Sequence, residues 1–406
     1  MREGWSRTTL GEVFEPLSVR VGSIGIEPPV LSVTKHSGVV LASDYFERRV
    51  ASDSLANYKA LAPNDWAYST IHIDEGSIAR NNLGTAGAVS PMYTTMRFAT
   101  SSHEARYFEL LLRSSEMLGR FSSSQQGSIN RRRSLPWRAF SAMEVQVPAL
   151  SEQRRIVDLI GALDDAITTA QTSLVACRST WSLALSQSAS DAPSVPLHDL
   201  FAHIIGGAWG DAPGVSDIEV LALGPKSYAG RLSVDAGVAA SRSLSAARAS
   251  ERVLRDGDIV LERSGGSPTQ PVGRVIRMEG NSPSNIVPSD FQRLLRPDPA
   301  VAEPAYVFWR MWLNYELGAS LPFQKATTSI RNLNVPAYLA NVRIAVPDRT
   351  EQMRFVQLAE SFADAAETQA AVVTRLTNLR ADLLTALLSG EHEIPESYDE
   401  LMEVAS

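Results

Sequence analysis

Val145-Gln-Val-Pro-Ala-Leu-Ser-Glu-Gln-Arg154 and Ile344-Ala-Val-Pro-Asp-Arg-Thr-Glu-Gln-Met-Arg354 are two versions of one sentence. Each is a short apolar strand that ends in Val-Pro, followed by Glu-Gln opening a long amphipathic helix. Each is preceded by a small polar segment (Ser128-Ile129, Ser329-Ile330) and a proline (Pro136, Pro336). The offset is 201 residues at the isoleucines, 200 at the prolines and 199 at Glu-Gln, the drift that loop insertions produce. Further upstream, Leu10-Gly-Glu-Val-Phe14 pairs with Leu197-His-Asp-Leu-Phe201. Asp65-Trp-Ala-Tyr68 pairs with Asp258-Ile-Val-Leu261, and Ser90-Pro91 with Val287-Pro288. A period near 200 is too long for a solenoid. It predicts a duplicated unit made of a whole domain plus a helix.

The first helix follows Pro148, with Ser151 as its cap. Ile156, Ile160, Leu163, Ile167, Ala170, Leu174, Cys177, Trp181 and Ala184 then recur at 4-3-4-3 spacing, the seam of a coiled coil. The second starts near Thr350 and stops at Gly390. Its seam is read through Phe355, Leu358, Phe362, Ala366, Gln369, Val373, Leu376, Leu383 and Leu387. Each helix would be roughly 55 Å long at 1.5 Å per residue, and one apolar stripe of that length needs a partner, for which the other helix is the nearest candidate. Ahead of each, β-type runs (Val30–Val33, Ile218–Leu223, Asp258–Leu261) alternate with Gly/Pro/Ser/Asn loops, and Glu104–Leu118 and Glu303–Leu317 read as helices. The predicted class is α+β: two α/β domains in tandem, 1–149 and 190–348, with helices 150–189 and 349–389 forming an antiparallel coiled coil. An acidic tail, 390–406, is expected to fray.

The formal charge of −7 is unevenly spread. Residues 348–406 carry 4 basic and 12 acidic side chains, while 1–148 carry 16 and 14. Met117–Met143 has no acid and five arginines. Leu317–Pro347 has no acid, with Lys325, Arg331 and Arg343. Such local distribution decides a polyanion footprint more than the total does. One cysteine, Cys177, fits a reducing compartment, no apolar leader opens the chain, and no run of 18 apolar residues is present. A cytoplasmic protein without membrane contact is expected.

Catalytic motifs are missing. There is no Gly-Lys pair for a phosphate loop, no Gly-x-Gly-x-x-Gly, no Gly-x-Ser-x-Gly and no Asn/Asp-Pro-Pro-aromatic motif. The six histidines and one cysteine lack zinc spacing, so no metal or catalytic residue is assigned. What remains is basic and amide-rich. Gln125, Gln126, Ser128, Asn130, Arg131, Arg132 and Arg133 lie on one loop, and Gln324, Lys325, Thr327, Thr328, Arg331 and Asn332 on its counterpart. Arginine forks suit guanine and amides suit adenine, and either can hold phosphates. Arg80, Asn81 and Asn82, with Arg263 and Gln270, form a second candidate pair. Tyr68 and His72 lie on the strand before it. A solvated polar loop, and for Tyr68 and His72 a core position, remain the alternatives at each place.

Val-Pro followed by Glu-Gln and a heptad helix, twice, resembles the specificity subunits of type I restriction-modification enzymes across about residues 1–390. The resemblance implies two target-recognition domains, each docking at one half of a gapped site in double-stranded DNA, with the helices as spacers. It implies no cofactor in this chain. S-adenosylmethionine would sit on two partner methyltransferase subunits, and ATP and Mg on two translocase-nuclease (restriction) subunits. Three alternatives share parts of the pattern: a recognition fragment of a single-chain methyltransferase-nuclease, a specificity factor of a related phage-defence methylation system, and a protein-binding coiled-coil scaffold. A complete repeat starting at Met1 argues against the first and the paired acid-free loops against the last; the second is not separated.

Overall fold

The computed structural model describes residues 4–23, 28–46, 54–126, 133–187, 192–228, 232–267, 270–280, 284–326 and 330–400. Of the candidates above, Ser128, Asn130, Arg131, Arg132, Thr327 and Thr328 lie outside the described residues. The chain forms two compact units, Met1–Thr169 with Val373–Ser406, and Ala170–Val372. Each unit therefore holds one globular part and a portion of both long helices, Leu150–Gln187 and Arg349–Ser389.

The duplication is visible strand by strand. In the first unit Ser6–Thr9 pairs with Glu144–Val147, and a four-stranded antiparallel sheet runs in the order Phe14–Leu17, Tyr93–Phe98, Trp66–Ser69, Ile78–Arg80. In the second, Ser194–Pro196 pairs with Arg343–Ala345, and the sheet order is Phe201–Gly206, Gln292–Pro297, Ile259–Glu262, Val275–Arg277. The Asp65/Asp258 match has a physical cause. Each carboxylate accepts a backbone N–H three residues upstream, from Ala62 or Arg255, and an arginine fork from the neighbouring strand, Arg97 or Arg296. A buried carboxylate is tolerated when its lone pairs are filled in this way.

The Glu-Gln motif is likewise explained by its glutamine. Gln153 is fully buried, donates to the Pro148 carbonyl at 2.8 Å and accepts from the Glu104 N–H at 2.8 Å. Gln352, equally buried, donates to Pro347 at 2.7 Å and accepts from Glu303 at 2.8 Å. Glu104 and Glu303 are the N-caps of Ala105–Leu112 and Pro304–Glu316. One amide thus ties the end of the Val-Pro strand, the start of the long helix and the start of the domain helix into one joint.

Several sequence expectations need correction. Glu104–Leu118 is two helices, Ala105–Leu112 and Ser115–Ser124, because the Ser114 hydroxyl accepts from the Met117 N–H and starts a new turn. Pro136 and Pro336 are not equivalent. Pro136 is the N-cap of Trp137–Ser141, whereas the N-cap of Val335–Asn341 is Asn334, leaving Pro336 inside its first turn. Ser90 matches Ser289 rather than Val287, since each accepts the N–H three residues on, from Tyr93 or Gln292. Leu358 is 37% exposed and Ala359 is fully buried in its place.

Residues 391–400 are docked rather than frayed. In the first unit Ile394 is buried and its N–H donates to Glu152, Arg155 forks onto Asp399 at 2.8 Å, and the Tyr398 hydroxyl donates to Asp158 at 2.6 Å. There the two helices run antiparallel. Ile156, Ile160 and Leu163 pack with Leu383, Leu384, Leu387 and Leu388, and Arg380 forks onto Asp164. Ile167, Val373 and Leu376 are half-buried along the same stripes. In the second unit Leu174 is half-buried, and Trp181 stacks on Trp312 at 4.2 Å and on Phe362 at 6.2 Å. No described helix is long and apolar enough to cross a membrane.

Candidate DNA interface

In the second unit three short strands bring the distant candidates together. Gln324–Ala326 and Arg331–Leu333 form a hairpin, with Lys325 opposite Asn332 and Ala326 opposite Arg331. Ser264–Gly266 adds to its other side, with Ser264 opposite Asn332 and Gly266 opposite Arg331. Gly266 is required: a Cβ there would lie 2.6 Å from the Gln270 carbonyl oxygen and 2.7 Å from Val272 Cγ1. Arg263 lies at the root of this sheet, where its carbonyl accepts from the Leu333 N–H at 2.8 Å. Lys325 and Gln270 are exposed, and Arg263, Arg331 and Asn332 half-buried. Among the described residues no ion pair neutralises Lys325, Arg331 or Arg263. Arg263 does donate to the Asp290 carbonyl, at 3.4 Å.

Gln324 does other work. Its amide donates to the Val272 carbonyl and the Ser320 hydroxyl and accepts from the Val272 N–H, holding the hairpin on the domain. It is a brace for the surface rather than a free reader.

The first unit repeats the arrangement at the bases of its loop. Gln126 and Ser134 exchange both backbone hydrogen bonds, at 2.8 and 2.9 Å, and the Leu135 N–H donates to Thr70, the counterpart of Arg263. Arg133 occupies the position of Arg331, and its guanidinium reaches the Ser122 and Gln125 carbonyls at 3.5 and 3.3 Å. Gln125 is buried and donates to Asp74, again as a brace.

Two other candidates in this unit, Tyr68 and Asn81, are committed internally. Tyr68 is fully buried, stacks on Phe140 at 5.0 Å and donates to the Leu135 carbonyl; burial pushes its phenol up to about 12. Asn81 is buried, donates to the carbonyls of Leu61, Ala62 and Thr85 and accepts from the Leu83 N–H. In this structure neither offers a surface to DNA, because every polar group they carry is used in holding loops. Arg80 and Asn82 share Glu109, at 2.6 and 3.2 Å. His72 is exposed, facing Glu75 at 3.1 Å.

No protein-family model and no curated relative matches the chain. Among solved structures, a chain from "Structural basis underlying complex assembly and conformational transition of the type I R-M system" matches with a TM-score of 0.58 at 18% identity. The match covers 95% of this chain and 98% of that one. The fold is shared with a chain of a type I restriction-modification system. The HsdS subunit from Thermoanaerobacter tengcongensis also matches, at 18% identity and TM-score 0.45 over 96% and 98% of the two chains. So does the type I S subunit from M. genitalium, at 11% and 0.47 over 94% and 96%.

Within this type I fold the sequence reading missed three residues beside the platform. Phe291 is 42% exposed, and its carbonyl accepts from the N–H groups of Arg263 and Ser264. Its counterpart in the first unit, Met92, is 59% exposed, and its carbonyl accepts from the Thr70 hydroxyl. Arg293, two residues beyond Phe291, is held below the ordinary guanidinium range by burial and by the nearby Arg263 cation, with Asp290 opposing. A lone apolar residue in a polar turn carries no periodic signal; only the repeat offset pairs Phe291 with Met92. Among the described residues there is no cluster of three or more metal-ligating side chains.

Proposed function

We propose that this chain is the DNA-specificity subunit of a type I restriction-modification system. Each globular part would read one half of a gapped site in double-stranded DNA. The observation that carries the reading is the doubled platform: a hairpin base, an arginine at equivalent positions (Arg133, Arg331) and an exposed apolar residue, built twice on one repeated frame. Arginine, amide and hydroxyl side chains beside an open hairpin fit phosphate and base-edge contacts. The full-length match to a type I fold supports the same reading. The Arg133 and Arg331 loops would enter the groove, while Gln125, Gln324 and Asn81 hold them in shape.

The chain carries no catalytic role in this proposal. Two methyltransferase subunits with S-adenosylmethionine would flip and methylate an adenine, and two translocase-nuclease subunits with ATP and Mg would cut. The test is duplex binding by the purified full-length chain across a salt series, beside labelled methyl transfer by the same sample. The reading expects sequence-selective binding that weakens steeply with salt and no methyl transfer. Absence of DNA binding under any condition, or methyl transfer by the chain alone, contradicts it.

A further inference from the structure

The edge of the second unit's platform carries an exposed apolar residue whose neighbours in the chain and across the backbone hydrogen bonds include two arginines. Phe291 leaves nearly half its surface in water, although burying it elsewhere in the fold would be favourable. Its backbone is fixed, because its carbonyl accepts the N–H groups of both Arg263 and Ser264, and Ser264 pairs with Asn332 of the hairpin. The Arg263 N–H donates to the Phe291 carbonyl, Arg293 lies two residues beyond Phe291, and after burial the nearby Arg263 cation is what disfavours the Arg293 charge. Lys325 and Arg331 follow on the adjoining strands. Asp290, also exposed, offsets one of these four cations. Two like charges near one another at partial burial, with an exposed apolar side chain on the adjoining turn, form an unfavourable arrangement in water. A polyanion that presents an apolar group between its phosphates relieves both costs at once. Duplex DNA has that chemistry at thymine, whose C5-methyl faces the major groove between the phosphate rows.

Resting on the specificity-subunit reading, we propose that Phe291 contacts a thymine methyl in the half-site read by the second unit, with Arg263 and Arg293 on the flanking phosphates. Met92 holds the equivalent place in the first unit. There Thr70 stands where the second unit has Arg263, and Thr94 lies two residues beyond Met92 as Arg293 does beyond Phe291. The first unit's apolar contact therefore lacks the pair of phosphate clamps. Each half-site is read with an apolar side chain, Met92 in one unit and Phe291 in the other, but with unequal electrostatics.

The experiment selects binding sites from two random duplex pools, one with thymine and one with deoxyuracil throughout, using the full-length chain isolated from its own host with its bound partners. Phe291→Ala, Phe291→Leu and Arg263→Ala/Arg293→Ala are run beside the unaltered chain. All the altered positions lie at or near the surface, so folding is checked by thermal melting and should be retained. The unaltered chain should enrich a gapped site containing an A·T pair whose selection fades in the deoxyuracil pool, by roughly three- to five-fold for one buried methyl. Phe291→Ala should lose that discrimination, and Phe291→Leu should keep most of it. The double arginine variant should keep the sequence preference but bind more weakly, with a salt slope lower by up to about 1.8 for two phosphates. If the unaltered chain enriches a gapped site while Phe291→Ala selects it with the same thymine preference, the Phe291 contact is wrong and the specificity reading stands. If the unaltered chain enriches no site at all, the specificity reading fails and the Phe291 proposal falls with it.

Discussion

Replacing Gln352 with alanine tests whether the repeated joint organises each unit. The side chain is 2% exposed and makes two hydrogen bonds to backbone groups of different elements, at 2.7 Å to Pro347 and 2.8 Å from Glu303. Truncation leaves a carbonyl and an N–H without partners where water enters poorly. An unsatisfied buried polar group costs about 1–3 kcal/mol. Both partners are only half-buried, which favours the low end, so a total of roughly 2–4 kcal/mol is expected. For a unit of this size that lowers Tm by roughly 5–15 °C. Gln352→Met fills the volume without restoring either bond and should recover only a small part. Differential scanning calorimetry on the full chain reads both variants. Because Gln153 makes the same two bonds in the first unit, Gln153→Ala should produce a loss of similar size. A Tm change below about 2 °C for Gln352→Ala, or full recovery with methionine, would refute the argument that hydrogen bonding rather than packing fixes the joint.

Deleting residues 391–406 should destabilise the first unit and expose apolar surface to a hydrophobic dye, since Ile394 is buried there and Arg155 loses Asp399. Its Arg155 partner holds the Asp399 carboxyl below the usual aspartate range. The stabilisation from that pair is therefore present above the ordinary aspartate pKa and fades only as pH falls through the lower folded value; a tail that detaches between pH 6 and 8 would contradict this. The Arg131→Ala/Arg132→Ala/Arg133→Ala variant should bind duplex DNA more weakly, with a salt slope reduced by about 0.9 for each phosphate left without its arginine. An unchanged slope means the loop is only solvated. Inserting four residues near Thr172 lengthens that helix by roughly 6 Å, a stutter a coiled coil tolerates. Under the proposed function the unread gap should grow by one or two base pairs of about 3.4 Å each. Methylation mapping that finds altered half-site bases with an unchanged gap would count against the helices as spacers.

The sequence carried the duplication and the helical stripes clearly, because both rest on periodic spacing that survives loop changes. Phe355, Phe362 and Leu387 occupy the stripe as read, whereas Leu358 does not: at the helix start Ala359 fits the crowded packing and the leucine turns outward. The stripe steps from Leu376 to Leu383; between them Leu379 is exposed and Arg380 fills the step by forking onto Asp164. The amide residues were the least legible. Gln125, Gln324 and Asn81 have the chemistry to read bases, yet Gln324 and Asn81 spend their amides on backbone groups and Gln125 donates to the Asp74 carboxylate. Only the three-dimensional environment separates the two uses. The tail was misjudged for a related reason, since its acidity suggested solvation while Asp399 had Arg155 as a partner more than 200 residues away.

Methylated bases in the genome of the source cell test the proposed function most directly. Long-read mapping should find a methylated adenine motif in two short defined halves separated by an undefined gap. Exchanging residues 190–348 for those of another chain with this fold should change one half and leave the other half and the gap intact. A continuous motif, or an exchange that rewrites both halves together, would contradict the claim that each repeated unit reads its own half of the site.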